Sequence, residues 1–428
     1  MLRKLINYYV PLWDFLYILQ LEEYDLGRYL KQIWPRLLKR NFEVRESLQY
    51  TGRMKVTFAL SALLLVPLPS DYWLLWLCLV PITTPFAILL ASAVVSIPVA
   101  MQKKRRLRRA AAYFIKEYPD TKVIAITGSF GKTTAKYLLQ HVLQYDYRVA
   151  IIPDNLNTSL GIANYLLSGQ VPKSTELLIV EMGAYTRGDI TEAAQVTPPD
   201  YAVITIFGDQ HMERFGSHAN IVFGKSEIFT THEQTQCYLP ADSYRQVKEQ
   251  QLSTDRLTAV SVPDGAKSTE YLVTKLAQDL GVSNESINSS LETFTPPNRR
   301  NNVFVRDGVV IIDNSYNLSP MVAEAMLSDA KEMASKANKK LVVLTGGIGE
   351  QGTESDSVNQ KFGQLLNDYS IRVILTDSIY AAAVRTELSI PHKTVAKAFD
   401  VSEQPSDWLD GQTEVLLWLT EHSDLAYL

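Results

Sequence analysis

Between Val123 and Thr134 the chain reads VIAITGSFGKTT. Val123, Ile124, Ala125 and Ile126 form a short apolar, β-prone run suited to a buried strand. Two glycines, Gly128 and Gly131, then bracket Ser129 and Phe130, and Lys132, Thr133 and Thr134 follow. The next stretch, AKYLLQHVLQ, spaces Leu138, Leu139, Val142 and Leu143 for one buried helical face. A strand that turns through glycines into a helix opening on a lysine restricts the chain to an α/β sheet with a phosphate-binding loop. Glycines let backbone N–H groups curl inward around an anion. The helix adds its positive N-terminal end. Lys132 can reach β- and γ-phosphate oxygens, and a hydroxyl of Thr133 or Thr134 can ligate the Mg²⁺ that bridges them. Two residues separate these glycines where the common loop has four. A chance glycine-rich turn would not bring strand, GKTT and helix together in this order.

The region around this loop alternates strand and helix signals. Apolar runs at 122–126, 148–152, 177–181, 201–206 and 237–239 predict strands of a largely parallel sheet. Further on, VVIIDNSYN (309–317), KLVVLTGGIG (340–349) and IRVILTD (371–377) predict a second, Rossmann-like sheet. Ser319 and Pro320 precede a helical pattern. The glycines of 346–349 read equally well as a plain loop.

The N-terminal part is different. A net charge of -4 hides strong local unevenness. Residues 1–55 are basic and aromatic, and LQLEEYDLGRYLKQIWPRLLKR predicts an amphipathic helix packed on the body or lying at a membrane surface. Between Thr57 and Met101 the only charged residue is Asp71, and KKRRLRR then fills 103–109. The apolar stretch is too long for one span and suits two short ones, turning at Pro67–Asp71 or at Pro81–Pro85. Basic flanks on both sides predict a hairpin or re-entrant segment with both ends cytoplasmic. The alternative is a buried helical hairpin of a soluble core. Only two cysteines, Cys78 and Cys237, are present, which argues against a disulfide framework or a Cys-based zinc site. The domains expected are therefore a head and membrane hairpin (1–110), a central phosphate-binding domain (111–296) and a C-terminal domain (297–428).

Several polar clusters fall at strand ends. Glu181 closes the run LLIVE, where a Mg²⁺ ligand beside the phosphate loop would stand. His211 sits in the loop FGDQHMERFGS, and Lys225 in the helix GKSEIF. Read alone, the first is an ordinary surface or core histidine and the second a solvated helix charge. Asn155 could simply turn the loop DNLNTSLG.

Taken together, TGSFGKTT, NLN, EMGAYTRGDI, HMERFGS with GKSEI, Arg300 and DNSYNLSP (313–320) resemble the Mur ligase family, the ATP-dependent amino-acid ligases of peptidoglycan precursor synthesis. The resemblance runs from about Thr121 to Gly363 and weakens beyond. It implies ATP and Mg²⁺ as cofactors, with Gly128, Ser129, Gly131, Lys132, Thr133 and Thr134 around the phosphates. It implies Thr133, Glu181, His211 and Lys225 near the metal ions, Lys225 as a carbamylated lysine, and Lys132, Lys225 and His211 as the catalytic set. Asn155, Asn157 and Thr158 would form a substrate-side loop, and Arg300, Asp313, Asn314 and Asn317 would touch the nucleotide.

The activity implied is amide-bond formation through an acyl phosphate, with D-alanyl-D-alanine addition to a muramoyl-peptide as the expected case. The alternatives are a related ligase with another or a lipid-linked acceptor, and a membrane-anchored ATP-binding scaffold without ligation. Implied partners are a small-molecule or lipid-linked muramoyl-peptide, an amino acid or dipeptide, and the membrane, with no nucleic acid. The expected location is the cell membrane, catalytic domains facing the cytoplasm. The chain departs from the family pattern at Asn314, usually acidic, at Ile206, usually asparagine, and at its N-terminus, where the domain that holds UDP is expected.

Overall fold

The computed structural model describes residues 11–419 except 22, 23, 28, 32, 34–48, 67–72, 154, 155, 210, 211, 264, 265, 296, 298–301, 316, 317, 350, 352, 353, 379, 397, 399, 400, 402 and 403. These residues fall into two compact units, 1–105 and 106–428.

In the first unit, helices α1 (Leu12–Leu21) and α2 (Gly52–Leu64) pack with the apolar part of α3, which runs Trp73–Glu117. Phe15, Leu16, Ile18, Tyr29, Met54 and Ile88 are buried in their shared core. Thr51 caps α2 by accepting a hydrogen bond from Met54 N at 3.2 Å. Pro81 and Pro85 lie inside α3, so the alternative turn at 81–85 is corrected. Each proline removes one ladder bond, but the helix continues, and the Thr83 and Thr84 hydroxyls add bonds to the Leu79 and Val80 carbonyls at 3.1 and 2.7 Å. The other turn, Pro67–Asp71, lies outside the described residues, as does most of the amphipathic stretch that follows α1.

One helix, over Cys78–Glu117, is long and apolar enough to cross a membrane among the described residues. With 13 residues, α2 extends about 20 Å, against a hydrocarbon core of about 30 Å. Exposed apolar side chains recur every three or four residues along α3, from Leu75 through Ile82, Phe86, Leu90, Val94 and Ile97 to Met101.

In the second unit, six strands form a parallel sheet in the order β2-β3-β1-β4-β5-β6. They are β1 (Lys122–Thr127), β2 (Val149–Ile151), β3 (Leu177–Glu181), β4 (Tyr201–Ile204), β5 (Gln236–Pro240) and β6 (Leu257–Val260). The first five fall where the apolar runs predicted them, with β2 and β4 shorter than expected. Strand β6 was not anticipated, because LTAV is an edge strand with only Val260 buried. Alternation along β1 sends Val123 and Ala125 to one face and Ile124 and Ile126 to the other. Helix α4 (Lys132–Leu143) covers the second face with Leu138, Leu139, Val142 and Leu143. The last turns of α3 cover the first face with Ala110 and Phe114. Pairing of Ile126 with Glu181 sets the carboxylate beside the end of β1.

A second sheet has the order β11-β10-β9-β12-β8-β7. It comprises β7 (Asn302–Arg306), β8 (Val309–Asn314), β9 (Lys340–Thr345), β10 (Arg372–Thr376), β11 (His392–Val395) and β12 (Glu414–Leu419). Only β7 runs antiparallel, as an edge strand paired with β8. The helix Pro320–Lys336 between β8 and β9 is capped by Ser319, which accepts from Val322 N at 3.3 Å. The last strand, β12, inserts between β8 and β9.

Candidate active site

The phosphate loop is held in shape from below by the segment after β4. Gly128 has φ +139°, and a Cβ there would lie 2.0 Å from Thr205 Oγ1, so a side chain is excluded by both conformation and space. Thr205 Oγ1 donates to Thr127 O at 3.3 Å and also contacts Phe130 O. Ser129 N donates to Ile206 O at 2.8 Å. The Ser129 hydroxyl donates to Gly208 O at 2.7 Å and accepts from Gly208 N at 2.9 Å. At position 206 the loop uses the backbone carbonyl, which isoleucine supplies as well as asparagine.

Two lysines converge on one carbonyl. Lys132 Nζ donates to Gly128 O at 2.8 Å and to Ser129 O at 3.2 Å. Lys225 Nζ, from helix His218–Thr230, donates to Gly128 O at 3.1 Å. Lys225 is 1 % exposed. Burial first, and the neighbouring Lys132 ammonium second, push its amine well below the usual lysine range.

On the other side of the loop, Thr133 Oγ1 donates to Glu181 Oε2 at 2.7 Å. Asn157 Nδ2 donates to Glu181 Oε1 at 3.4 Å, which ties the candidate substrate loop to the same carboxylate. Lys136, absent from the sequence-based site, is buried 3.6 Å from Glu181 Oε2. Its signal was its position three residues after Thr133 on one helical face. Thr134 is half-buried in the first turn of α4. Thr158 accepts from Gly161 N at 3.2 Å and so caps the helix Ser159–Leu167.

Asn155, His211, Arg300 and Asn317 lie outside the described residues. Asp313 and Asn314 end β8 in the second sheet. Asp313 Oδ1 accepts from Ser315 N at 3.0 Å, and Asn314 Nδ2 is buried without a partner among the described residues.

A further carboxylate, Glu227, shares a helix with Lys225. It accepts from Gly188 N at 2.7 Å and from Thr191 N at 3.1 Å. Those amides open the helix Asp189–Val196, which follows β3.

Among the described residues no three His, Cys, Asp or Glu side chains come together as a cation cage. The Thr133 hydroxyl and the Glu181 carboxylate are hard oxygen donors one hydrogen bond apart beside the loop. They suit Mg²⁺, which commonly takes one or two protein ligands and completes its shell with phosphate oxygens and water. The positive-φ glycine turn and the N-terminus of α4 suit a polyphosphate.

Residues 126–307 match the Mur ligase middle domain. UDP-N-acetylmuramoyl-tripeptide--D-alanyl-D-alanine ligase of Treponema pallidum is 29% identical over 279 residues, 58% of this chain and 60% of that one. The Bacillus subtilis enzyme of the same name is 38% identical over 122 residues, 28% of this chain and 26% of that one. The chain thus spans less than two thirds of the length of these relatives. Among solved structures, the MurF ligase from Thermotoga maritima in complex with ADP superposes with a TM-score of 0.65 at 21% identity, covering 76% of this chain and 82% of that one. The fold, a parallel α/β sheet followed by a second sheet, is that of Mur ligases.

Proposed function

We propose that this chain is an ATP-dependent amide-bond ligase of the Mur ligase type, and that it joins D-alanyl-D-alanine to a muramoyl-tripeptide acceptor. The observation that carries the reading is the pairing of Thr133 with Glu181 beside a glycine turn on which Lys132 and Lys225 converge. The named relatives support the choice of acceptor and dipeptide.

In this reading the acceptor's carboxylate oxygen attacks the γ-phosphorus of ATP, the bond to the β-phosphate oxygen breaks, and an acyl phosphate and ADP form. The incoming amine then attacks the acyl carbon, phosphate leaves, and the amine loses a proton. Lys132 and the loop amides hold the triphosphate and offset charge as it shifts toward the leaving oxygen. Mg²⁺ at Thr133 and Glu181 would screen the phosphates. Lys225, desolvated and so held toward its neutral amine, can add to carbon dioxide: an N–C bond forms and a proton leaves, which turns a buried cation into a carboxylate-like group. His211 belongs to this proposed set, as do Asn155 and Asn157 on the acceptor side, and Arg300, Asp313, Asn314 and Asn317 toward the nucleotide.

The expected result is release of ADP and phosphate only when UDP-muramoyl-tripeptide and D-alanyl-D-alanine are both present, measured by coupled ADP detection. Turnover indifferent to both would leave a nucleotide-binding scaffold instead. Turnover only on the lipid-linked acceptor would favour the second reading, which the long exposed apolar stripe of α3 supports.

The same stripe and the basic run 103–109 support attachment at the cytoplasmic face of the cell membrane. The full chain is expected to sediment with membranes and to need detergent for release, and deletion of 57–101 to free it. A full chain recovered in the soluble fraction without detergent would return α3 to a protein core.

A further inference from the structure

The turns of α3 that belong to the second unit lie along the helix Ser159–Leu167 and the segment after it. Arg106 Nε donates to Asn164 Oδ1. A Cβ on Gly169 would lie 3.9 Å from the Tyr113 hydroxyl, and the Tyr118 hydroxyl donates to Val171 O at 2.7 Å. Leu107, Ala110 and Phe114 meanwhile turn toward the sheet. The helix Ser159–Leu167 directly follows the acceptor-side loop of Asn157 and Thr158. Asn164 is five residues past Ser159, about 8 Å along the axis, so Arg106 is tied to the element that this loop opens.

Arg106, Arg108 and Arg109 are exposed. From Arg106 to Lys116 α3 holds no acidic residue, and the helix Ser159–Leu167 holds no charged residue at all. Among the described residues Arg106 has only its bond to Asn164, and Arg108 and Arg109 have no carboxylate partner. Arg106 and Arg109 share one flank of α3 at i, i+3 spacing. Three guanidiniums held this close without counter-charge repel one another and gain from an anion that several of them can reach. Their planar forks match phosphate oxygens in pairs. The acceptor named for the relatives carries a uridine diphosphate, joined to the sugar and so remote from the peptide carboxylate that reacts. An extended tripeptide covers about 10 Å, which separates the two ends on the scale of the helix between them.

We infer that Arg106, Arg108 and Arg109 form a site for the sugar-linked diphosphate of the acceptor, alongside the loop on the acceptor's peptide side. A lipid-linked acceptor presents the same group. The inference rests on the ligase reading for the identity of the acceptor.

The test compares KM and kcat of the full chain in detergent for three acceptors: UDP-muramoyl-tripeptide, its lipid-linked diphosphate counterpart, and muramoyl-tripeptide without a diphosphate. ATP and D-alanyl-D-alanine are kept saturating. Wild type is expected to show a KM at least about tenfold lower for one of the diphosphate acceptors than for the acceptor without it, and which one identifies the source. The combined variant Arg106→Gln, Arg108→Gln, Arg109→Gln is expected to raise that KM about tenfold, with kcat moving far less, so that the advantage of the diphosphate disappears. Lysine at the three positions should restore part of it, since the charge returns. Equal wild-type KM values with and without diphosphate overturn the inference, and that measurement needs no variant. An unchanged KM in the folded glutamine variant overturns it too, including the case where only sedimentation with membranes is lost, because the run is then a lipid flank. A fall in kcat shared by all three acceptors makes the arginines structural and overturns it as well. If wild type turns over none of the three acceptors, the ligase reading fails and takes this inference with it.

Discussion

Lys132→Ala is expected to leave a folded chain whose ATP turnover falls by at least roughly 10³-fold. The side chain reaches back over the loop to the Gly128 and Ser129 carbonyls at 2.8 and 3.2 Å. Those bonds are local and half-exposed, so their loss costs little stability. What disappears is the positive charge at the glycine turn. ADP binding, measured by calorimetry, should weaken less than turnover, because the loop amides and the α4 N-terminus remain. Turnover within tenfold of wild type would remove Lys132 from the catalytic set.

Lys225→Ala should be nearly inactive for a different reason. Among the described residues Lys225 has no counter-charge that would explain its burial as an ion pair. It lies against Gly128 O, with Lys132 next to it. Its amine sits well below the usual lysine range, which leaves it nucleophilic toward carbon dioxide where an exposed lysine is protonated. If Lys225 carries the proposed carbamate, the alanine variant lacks that carboxylate-like group, and millimolar formate or acetate should restore part of the activity. The pH dependence has a defined sign. Acidification through the folded-state pKa protonates the amine, so bicarbonate-dependent activity of wild type should be lost toward low pH and retained toward high pH. Full activity of Lys225→Ala excludes the residue, and an inactive variant that carboxylates fail to rescue leaves it a structural lysine.

How far the chain could be read ahead of the structure depended on how local each interaction was. The phosphate loop was legible because strand, glycines, lysine and helix occupy one stretch, and each residue type has a local reason to be there. Glu181 was legible because a carboxylate is conspicuous at the end of an apolar strand. Lys136 was not, since its partners Glu181 and Ile152 meet it only once the sheet order places β3 and β2 beside α4. Thr205 escaped notice likewise, for its contact with Gly128 crosses from β4 to β1. Strand β12 inserts between two earlier strands, a pairing that no local pattern announces. In α3, Pro81–Pro85 is one of two turn sites that the residue types offer, yet two prolines four residues apart each cost one bond in a long helix that continues through them.

Glu227 has a consequence for where an anion can settle. Strands β1 and β3 are neighbours, and each runs into a helix whose N-terminus opens at the same edge of the sheet. Both ends attract negative charge. At the helix after β3 the vacancy is already filled by the protein's own carboxylate, which accepts from Gly188 N and Thr191 N. That internal anion repels a second one. A polyphosphate arriving at this edge therefore meets one helix terminus at the glycine turn and one already occupied by the protein's own carboxylate.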